Sequence, residues 1–589
     1  MAKHLEYYKS NIDNYTKEVS KLYKQLTTLS LARLLVFVAT AVGVYFSFGH
    51  WQILIAIIVL GVIGFIFLLS KYTNLKLTYD LKKAIVTINT EELQIANGDY
   101  FDKNDGLQFQ ETNHNYALDI DLFGRGSFYQ FINRTNSNEG SHTLANCLKA
   151  NNTNAILSRQ EAIKDLAAKA DWRQIFQANA SLIKVETKAK TILDFLKTHK
   201  SFIPKYFKII PLAVTILSLL IVGLAIAKIF PAAIIGYWLF VGLFITGRYV
   251  KKTNALSANT DRMRDTFRQY ASLLSAIENE SFTSQLLLDK QAQIKLKDKK
   301  ASQILHELSK AMDALDNRNN LISAIFGNGY FLTDLKNAYR IEQWLENYKD
   351  KIEDWFEVVA FFDAYNSLGN YAFNHQQYIY PQIVDIQSDT KVTQLGHPLL
   401  KTEKRVDNDF EIKNQQFFII TGANMAGKST FLRTVSLHIV MANVGLPVSA
   451  TASVYSPVKL ITSMRTSDSL TDDSSYFFSE LTRLKYIVDA IKQDNYFIIL
   501  DEILKGTNST DKAIGSRKFV EKLVASHATG IIATHDLSLC EIEKHLEEVK
   551  NYYFDAQIIN DELYFDYTFK KGICQNMNAS FLLKKMEIV

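Results

Sequence analysis

The chain is poor in cysteine and proline, and each shortage limits the kind of protein it can be. Its 589 residues include three cysteines and seven prolines. Cys147, Cys540 and Cys574 lie far apart without a paired spacing, which argues against disulfides and zinc sites and fits a reducing compartment. Because proline interrupts helices, its scarcity predicts long helices and few long linkers. A chain of this length is expected to hold roughly two to four domains.

The chain also lacks a strong charge of either sign. Its formal net charge is +5, so no overall basic field points to nucleic acid as a partner. Any contact with nucleic acid would therefore depend on a local patch. Neither a low-complexity tract nor a clear internal repeat is visible, so the organisation of the chain is inferred from hydropathy and motifs.

Charged residues are missing from one long stretch near the N-terminus. Between Leu34 and Ser70 there is no Asp, Glu, Lys or Arg. Gly49-His50 divides this stretch into Leu34–Phe48 and Trp51–Ser70. Each half is close to the length of a membrane-spanning helix, although the first is rather short. We therefore predict a transmembrane helical hairpin at 34–70.

A second apolar region, at 209–247, is interrupted by Lys228 and Pro231 and is predicted to be a second transmembrane hairpin. Basic residues cluster at the outer ends of both hairpins, which places those ends in the cytoplasm. Buried core helices are the alternative to membrane hairpins. A cleaved signal peptide is disfavoured because the first apolar run starts late and a second apolar run follows at once. The flanking basic residues are Arg33, Lys71, Lys205, Lys208, Arg248, Lys251 and Lys252.

The segments around the hairpins have the character of soluble helices. Residues 1–33 are predicted to form a polar cytoplasmic helix, 140–200 and 250–375 show helical spacing of apolar positions, and 92–130 is mixed, with loops. The run Lys295–Lys300 contains four lysines and is either a phosphate contact or a solvated face. The apolar stripe within 250–375 comprises Leu286, Leu287, Ile294, Ile304, Leu305, Leu308 and Met312.

From residue 383 onward, short β-type runs alternate with helical segments. This alternation predicts a mainly parallel sheet with helices on both faces. The clearest predicted strands are Val454–Ile461, Tyr496–Leu500, Gly530–Ala533 and Val549–Phe554, and the predicted helices lie near 478–493, 510–528 and 538–548.

The stretch Thr421–Thr430, Thr-Gly-Ala-Asn-Met-Ala-Gly-Lys-Ser-Thr, has the pattern of a phosphate-binding loop. It follows the apolar run Phe417–Ile420 and precedes a helical pattern, and this context argues against a chance match. Its glycines let backbone N–H groups face phosphate oxygens, and the following helix presents its positive end to the same anion. The predicted nucleotide-binding residues are Gly422, Ala423, Asn424, Met425, Ala426, Gly427, Lys428, Ser429 and Thr430.

Five side chains are predicted to carry the chemistry of ATP hydrolysis. Lys428 is expected to reach the terminal phosphates of ATP, and the Ser429 hydroxyl to ligate Mg²⁺. Asp501 and Glu502 follow a predicted buried strand, where Asp501 would hold magnesium and Glu502 would polarise the attacking water. His535 ends another such strand and would sense the terminal phosphate. Incidental acids at a strand end and a structural histidine are the alternatives.

Two helix starts near these residues are further candidates for phosphate contacts. The turn Lys505–Asp511 leads to a helix that is predicted to be capped by Ser509 or Thr510. Ser474-Ser475 and Glu480 accompany the start of another helix. In dimeric ATPases a phosphate bound in this way can belong to the partner subunit, which sequence spacing alone does not establish.

Together these blocks resemble the MutS mismatch-repair ATPase family. The family's loop reads roughly Thr-Gly-Pro-Asn-Met-Gly-Gly-Lys-Ser-Thr, and here Ala423 stands for the proline and Ala426 for the first glycine of the pair. The family's Asp-Glu-Ile-Gly-Arg-Gly-Thr-Ser-Thr is similar to residues 501–509, its Ala-Thr-His to 533–535, and its Ser-Thr-Phe-Met-x-Glu to 475–480.

The resemblance extends more weakly into the helical region. Residues 122–135 and 159–163 are similar to the start of the MutS lever domain. The resemblance therefore implies a lever-like core at 71–208 and 248–382, cut by the second hairpin, and a P-loop ATPase domain at 383–589.

The chain departs from the family where function is concerned. No counterpart of the mismatch-reading and connector domains is recognised, and Phe109-Gln110-Glu111, which resembles the reader's Phe-x-Glu, is interpreted as a coincidence. Gly396-His397-Pro398 is similar to the entry of the ATPase domain. Arg405 stands where the family has an aromatic that stacks on adenine, and because a guanidinium plane can also stack on a base, Arg405 is a predicted nucleotide-binding residue. The second hairpin sits where the family has its lever arms and DNA clamp, so the resemblance does not extend to clamping of DNA.

Hydropathy and resemblance together imply a multi-pass, membrane-anchored MutS-like ATPase of the inner membrane, in contact with lipid, with a cytoplasmic ATPase domain. They imply ATP and Mg²⁺ as cofactors, a homodimer that closes on ATP, and DNA binding of low specificity. An ABC-type transport or membrane-remodelling ATPase is the alternative, although no Leu-Ser-Gly-Gly-Gln block is present. A scaffold that binds ATP without turnover is disfavoured by the intact Lys428, Asp501 and Glu502.

Overall fold

A computed structural model of the chain describes residues 3–182, 189–296, 298–465, 476–505, 507–559 and 562–575. These residues form a long helical hairpin, a helical core that carries a second hairpin, and a mixed α/β domain, and helix predominates. The helices are α1 (Lys3–Phe46), α2 (Trp51–Ala96), α3 (Phe128–Ile132), α4 (Asn138–Lys149), α5 (Ile156–Ala168), α6 (Ala170–Leu182), α7 (Ala189–Thr198), α8 (Ile210–Ile226), α9 (Ala233–Gly247), α10 (Val250–Glu278), α11 (Gln285–Ala292), α12 (Ala301–Asp316), α13 (Asn328–Phe331), α14 (Thr333–Tyr348), α15 (Ile352–Asn374), α16 (Lys428–Val444), α17 (Tyr476–Ala490) and α18 (Ser509–Ala525). The strands are β1 (Gln382–Ile383), β2 (Thr390–Leu395), β3 (Asn408–Ile412), β4 (Phe417–Gly422), β5 (Ala452–Tyr455), β6 (Lys459–Ser463), β7 (Tyr496–Asp501), β8 (Thr529–Ala533), β9 (Val549–Phe554), β10 (Gln557–Ile559), β11 (Glu562–Tyr564) and β12 (Lys570–Lys571).

The first hairpin is longer than its apolar part. α1 has 44 residues and α2 has 46, and each is one continuous helix through a polar and an apolar half. The polar helix predicted at 1–33 therefore runs on into the apolar stretch, because no proline interrupts it. Side chains of the apolar halves are exposed, among them Phe46 (81%) and Trp51 (69%). Both helices are long and apolar enough to cross a membrane.

The second hairpin is shorter. α8 has 17 residues and α9 has 15, whereas a membrane-spanning helix needs roughly 20. α9 continues into α10 across a bend of 66°, and only the bent pair together meets the length expected of a span. Exposed apolar side chains nevertheless cover both helices, including Ile216 and Phe244.

The helical core is built around α15, which is buried along most of its length and packs against α4 and α5. The apolar stripe predicted within 250–375 lies on α11, on α12 and at Ile294 between them. The run Lys295–Lys300 joins these two helices. Lys299 donates to Glu307 and Lys300 to Asn279, which favours the solvated-face interpretation of this run.

The α/β domain contains a six-stranded sheet with the order β12-β9-β4-β8-β7-β6. The strands from β9 to β6 pair in parallel and only β12 is antiparallel, which agrees with the mainly parallel sheet predicted from the alternating pattern. β4 is buried at every position, as a central strand covered on both faces should be. A four-stranded sheet, β1-β5-β2-β3, lies beside it.

Two predicted elements are wrong in detail. The predicted strand Val454–Ile461 is two strands, β5 and β6, that belong to different sheets, because Pro457 between them lacks the N–H that a continuous strand needs. The predicted helix near 538–548 is a 3₁₀ helix at Leu537–Lys544, which starts after the cap Asp536.

A buried polar cluster joins the first hairpin to the core. Glu92 of α2 is buried, pairs with Arg134, and accepts hydrogen bonds from Asn370 (2.9 Å) and Asn374 (3.0 Å) of α15. Tyr8 of α1 donates to the Asn374 amide oxygen at 2.6 Å. Burial opposes ionisation of Glu92, but Arg134, with Asn374 and Arg173, outweighs it, so the pKa of Glu92 lies below its usual value. Removing one partner of such a buried pair would leave the other charge uncompensated at a cost of about 3–5 kcal/mol, so the cluster depends on both Glu92 and Arg134.

Candidate functional site

The loop between β4 and α16 has the backbone that a phosphate cradle requires. Gly422 has φ +152° and an added Cβ there would lie 2.7 Å from the Phe554 carbonyl oxygen, so no larger residue fits. Gly427 has φ +101° and immediately precedes α16. Met425, between them, is exposed and adopts a left-handed φ of +67°. Strain of this kind in a loop that precedes a helix N-terminus is typical of an anion-binding site.

Lys428 is the first residue of α16 and its ammonium turns back into the loop. Its Nζ donates to the carbonyl oxygens of Gly422 (2.8 Å) and Ala423 (3.0 Å). Burial lowers the pKa of Lys428, while Asp501 and Glu502 oppose that change. The cation is therefore held inside the curl of the loop, close to the carboxylates at the ends of the neighbouring strands.

Asp501 and Ser429 meet across the edge of the sheet. Asp501 ends β7, and the Ser429 hydroxyl donates to its Oδ2 at 2.7 Å. Burial raises the pKa of Asp501. A hydroxyl and a carboxylate are the hard oxygen donors that Mg²⁺ prefers, so this pair fits one side of a magnesium site. In the described ranges no cluster of three or more His, Cys, Asp or Glu side chains could hold a metal ion.

Glu502 and His535 are in hydrogen-bonding contact beside the loop. The Glu502 Oε1 lies 3.0 Å from His535 Nε2, and the same nitrogen lies 3.3 Å from Lys428 Nζ. The hydrogen bond with His535 lowers the pKa of Glu502 to about 2. Glu502 also has a left-handed φ of +50°, a strained backbone of the kind found at active sites. The carboxylate is thus ionised but occupied by the imidazole.

The turn that follows Glu502 is organised by Glu480 of α17. Its carboxylate is buried and accepts the backbone N–H groups of Leu504 (2.5 Å) and Lys505 (3.1 Å). Burial raises the pKa of Glu480. Glu480 therefore fixes the turn after Glu502 in its own chain. The sequence indicated only that Glu480 lies near the start of a helix.

Arg405 lines the same cavity as the phosphate loop, and hydrogen bonds fix its guanidinium in one plane. Its Nε and Nη2 bond to the two Asp407 oxygens at 2.6 and 3.1 Å, and Nη1 donates to the Tyr378 hydroxyl at 3.2 Å. Burial is outweighed by these partners, so the pKa of Arg405 is raised. A planar guanidinium that lines a cavity can stack on an aromatic ring bound there.

The cavity has a volume of about 560 Å³ and unites most of the predicted residues. Gly422 and the buried Ala426 belong to the loop but do not line the cavity. The predicted residues that line it are Arg405, Ala423, Asn424, Met425, Gly427, Lys428, Ser429, Thr430, Asp501, Glu502 and His535.

Sequence reasoning missed several walls of this cavity. Tyr567 lines it and would meet a Cβ at Gly427 at 3.0 Å, but it lies in a C-terminal segment without a motif. Phe554 lies at the end of β9, and only the pairing of β9 with β4 brings it here. His397 also lines the cavity, although its sequence block assigns it no role; burial, with Arg433 and Arg405, lowers its pKa to about 4.

Other predictions at the site have different outcomes. α18 is capped by Asn508, whose side chain accepts the Asp511 N–H at 2.8 Å, so the predicted cap at Ser509 or Thr510 is wrong. Ser474-Ser475 lies outside the described residues. Phe109-Gln110-Glu111 lies elsewhere: Phe109 is buried in the core and Glu111 pairs with Lys149 on the surface. No disulfide joins the three cysteines, all of which lie in the described part of the chain.

Comparisons with known proteins match this part of the chain. The family model described as MutS domain V matches residues 418–585. The chain is similar to MutS protein homolog 4 of Homo sapiens, with 32% identity over 223 residues, or 36% of this chain and 23% of that protein. It is also similar to the DNA mismatch repair protein MutS of Thermotoga maritima, with 31% identity over 213 residues, covering 35% and 26% of the two chains. The chain thus spans about a quarter of the length of these curated relatives.

Proposed function

We propose that this chain is a membrane-anchored ATPase that acts on DNA as a homodimer. The premise is that it is a MutS-family protein, by its domain V at residues 418–585. One observation carries the ATPase proposal. Lys428, the Ser429–Asp501 pair and the Glu502–His535 pair converge on one cavity at the carboxyl edge of the sheet. This edge is where ligands bind in open parallel α/β sheets.

Each residue of this constellation has a chemical task in the proposed hydrolysis of ATP. Lys428 exchanges its two loop carbonyls for the terminal phosphate oxygens. Ser429 and Asp501 would hold Mg²⁺, which, when bound, neutralises charge on the phosphates. Contact of His535 with the terminal phosphate draws the imidazole away from Glu502. Because that imidazole is the main cause of the low pKa of Glu502, its departure makes the carboxylate a stronger base toward water.

Arg405 is proposed to stack on the adenine base. Replacing Arg405 with alanine should raise the KM for ATP by about tenfold, the equivalent of about 1.4 kcal/mol, with little change in kcat, because a cation–π stack acts on binding alone. Arg405→Tyr, which restores a flat stacking surface, should recover most of the affinity. Steady-state hydrolysis assays measure both constants.

A control for Arg405 separates stacking from a purely structural role. Inorganic tripolyphosphate has no base, so its inhibition constant should be the same for the parent protein and Arg405→Ala. If inhibition by tripolyphosphate weakens as much as ATP binding does, Arg405 serves to hold Asp407 and Tyr378 in position and does not stack on adenine.

Membrane anchoring is supported by the exposed apolar halves of α1 and α2, with the basic ends of the hairpins and the ATPase domain on the cytoplasmic side. Side-chain contacts lead from the nucleotide cavity to this hairpin: Arg405 bonds to Tyr378, Tyr378 stacks on His375 (4.9 Å between ring centres), and the adjacent Asn374 bonds to Glu92. Chains of packed side chains of this kind can carry coupling between distant sites. We therefore expect the ATP cycle to move the membrane hairpin.

The proposed DNA role is tested with the full chain in nanodiscs. ATP hydrolysis should be stimulated by duplex DNA at about 50 mM salt and much less at about 200 mM, since contacts to phosphates release counterions. Homoduplex and mispaired duplex should stimulate equally, because no mismatch-reading segment was recognised.

The outcome also separates the alternative function. Robust hydrolysis with a flat response to every DNA form at low salt would support a membrane-remodelling or transport ATPase instead. That alternative is not favoured by the relatives, which carry the names of mismatch-repair and MutS proteins.

A further inference from the structure

One uncharged segment outside both hairpins lies against the second of them. Between Arg318 and Asp334 there is no Asp, Glu, Lys or Arg. The segment, residues 319–332, joins α12 to α14 and contains a π-helical turn at Ser323–Gly327 followed by the short helix α13. It is too short and too broken by glycine to have been recognised as a membrane element from hydropathy.

The segment packs tightly against α8 and α9. An added Cβ at Gly242, in the middle of α9, would overlap the Gly329 carbonyl, so the two backbones touch. The Ser218 hydroxyl of α8 donates to the Tyr330 carbonyl at 2.8 Å and accepts from Trp238 Nε1 of α9 at 2.7 Å. These bonds tie three chain segments together, as interhelical contacts through small and polar residues do in membranes.

These contacts lie deep within the second hairpin. Ser218 is eight residues beyond Ile210, the start of α8, which is about 12 Å along the helix. The Tyr330 hydroxyl donates to the Ile235 carbonyl at 3.2 Å. Ile235 lies about 18 Å from Gly247, the C-terminal end of α9, at 1.5 Å per residue. Any membrane that surrounds α8 and α9 must therefore also surround this segment.

The exposed side chains and the backbone of the segment both suit a membrane environment. Leu321 (73%), Ile322 (69%) and Phe326 (50%) are exposed on the outside, next to the exposed apolar faces of the hairpin. The backbone is helical for most of its length, and the Asn328 side chain accepts the Asp334 N–H at 2.9 Å, so few polar groups would face lipid. Arg318 and Asp334 pair at 3.2 Å and close the segment at its polar base.

We propose that residues 319–332 form a re-entrant element that enters the bilayer beside the second hairpin, with Leu321, Ile322 and Phe326 against lipid acyl chains. The proposal rests on the membrane anchoring put forward above and adds a third embedded segment to it. It gives the helical core, through α12 and α14, a direct attachment to the membrane.

Site-directed fluorescence tests this element. The background is the full chain with Cys147→Ala; Cys540 and Cys574 stay in place because they are buried and burial raises the pKa of Cys540 to about 12. Ile322→Cys is labelled with a nitrobenzoxadiazole dye, and the protein is reconstituted in phosphatidylcholine–phosphatidylglycerol vesicles with and without acyl-chain doxyl lipid. Labels at Ile216→Cys on α8 and at Leu400→Cys, an exposed position of the α/β domain, are the matched controls.

We expect doxyl lipid to quench the label at 322 at least half as strongly as the label at 216, and to leave the label at 400 unquenched. Quenching at 216 with none at 322 would overturn the re-entrant element and leave the anchoring intact. Quenching at neither position would overturn the embedding of the second hairpin together with the re-entrant element, so the two failures are distinguishable.

A pair of glycine substitutions tests the packing that holds the segment in place. Gly242→Leu places a side chain against the Gly329 carbonyl, whereas Gly236→Leu, on the same helix, meets nothing within 4 Å. With Ile322→Cys labelled, Gly242→Leu should reduce quenching at least twofold and Gly236→Leu should leave it unchanged. Equal quenching in both would contradict the proposed seating on α9.

Discussion

Replacing Glu502 with glutamine is expected to lower the rate of ATP hydrolysis by about 10²–10⁴-fold, the range of a lost general base, while ATP binding is retained. The amide has the shape of the carboxylate but cannot take a proton from water. The cradle for the phosphates is built from the β4–α16 loop and Lys428, neither of which contains Glu502. Single-turnover hydrolysis and equilibrium binding of a fluorescent ATP analogue separate the two effects.

The matched control for this substitution is Glu547→Gln, an exposed carboxylate of the same domain, which should hydrolyse ATP at the parent rate. Should Glu502→Gln retain full hydrolysis, Glu502 is not the base, and its contact with His535 has only a structural role. A loss of binding together with hydrolysis would instead mean that the substitution disturbs the strained backbone at φ +50°.

Replacing Lys428 with methionine is expected to weaken ATP binding by about 100-fold or more and to abolish hydrolysis, since a charge-assisted contact to the terminal phosphates is lost. The stability of the nucleotide-free protein should change little. The substitution removes the hydrogen bonds of the ammonium to two loop carbonyls. It also removes the free-energy cost of burying a charge, which is the same cost that lowers the pKa of Lys428. Isothermal titration with ATP–Mg²⁺ and thermal unfolding without nucleotide measure the two quantities.

Lys518→Met, at an exposed position of α18, is the control and should leave binding and hydrolysis unchanged. Parent-like ATP affinity in Lys428→Met would contradict the assignment of the β4–α16 loop as the phosphate cradle. A large fall in the unfolding temperature without nucleotide would show that Lys428 holds the loop together, so the binding defect would follow from the fold.

Local sequence was sufficient where the chemistry depends on neighbouring residues. The phosphate loop was predicted from ten consecutive residues, because its glycines, its lysine and the following helix act within one strand–loop–helix unit. The sheet was predicted from alternating apolar runs, and the apolar halves of α1 and α2 from the absence of charge. The predicted strand Val454–Ile461 is wrong because Pro457 divides this β-type run between two sheets.

Tertiary structure alone decided the contacts between residues that are distant in the chain. His535 faces Glu502 because β8 lies between β4 and β7, and Tyr567 closes the cavity from a segment that carries no motif. The fixed plane of Arg405 depends on Tyr378, which follows α15. The segment 319–332 acquires its apolar neighbours only through packing on α9. Sequence thus determined the pieces that are stabilised by local spacing and hydropathy, whereas strand order and helix packing decided which pieces meet, because those contacts depend on the whole fold.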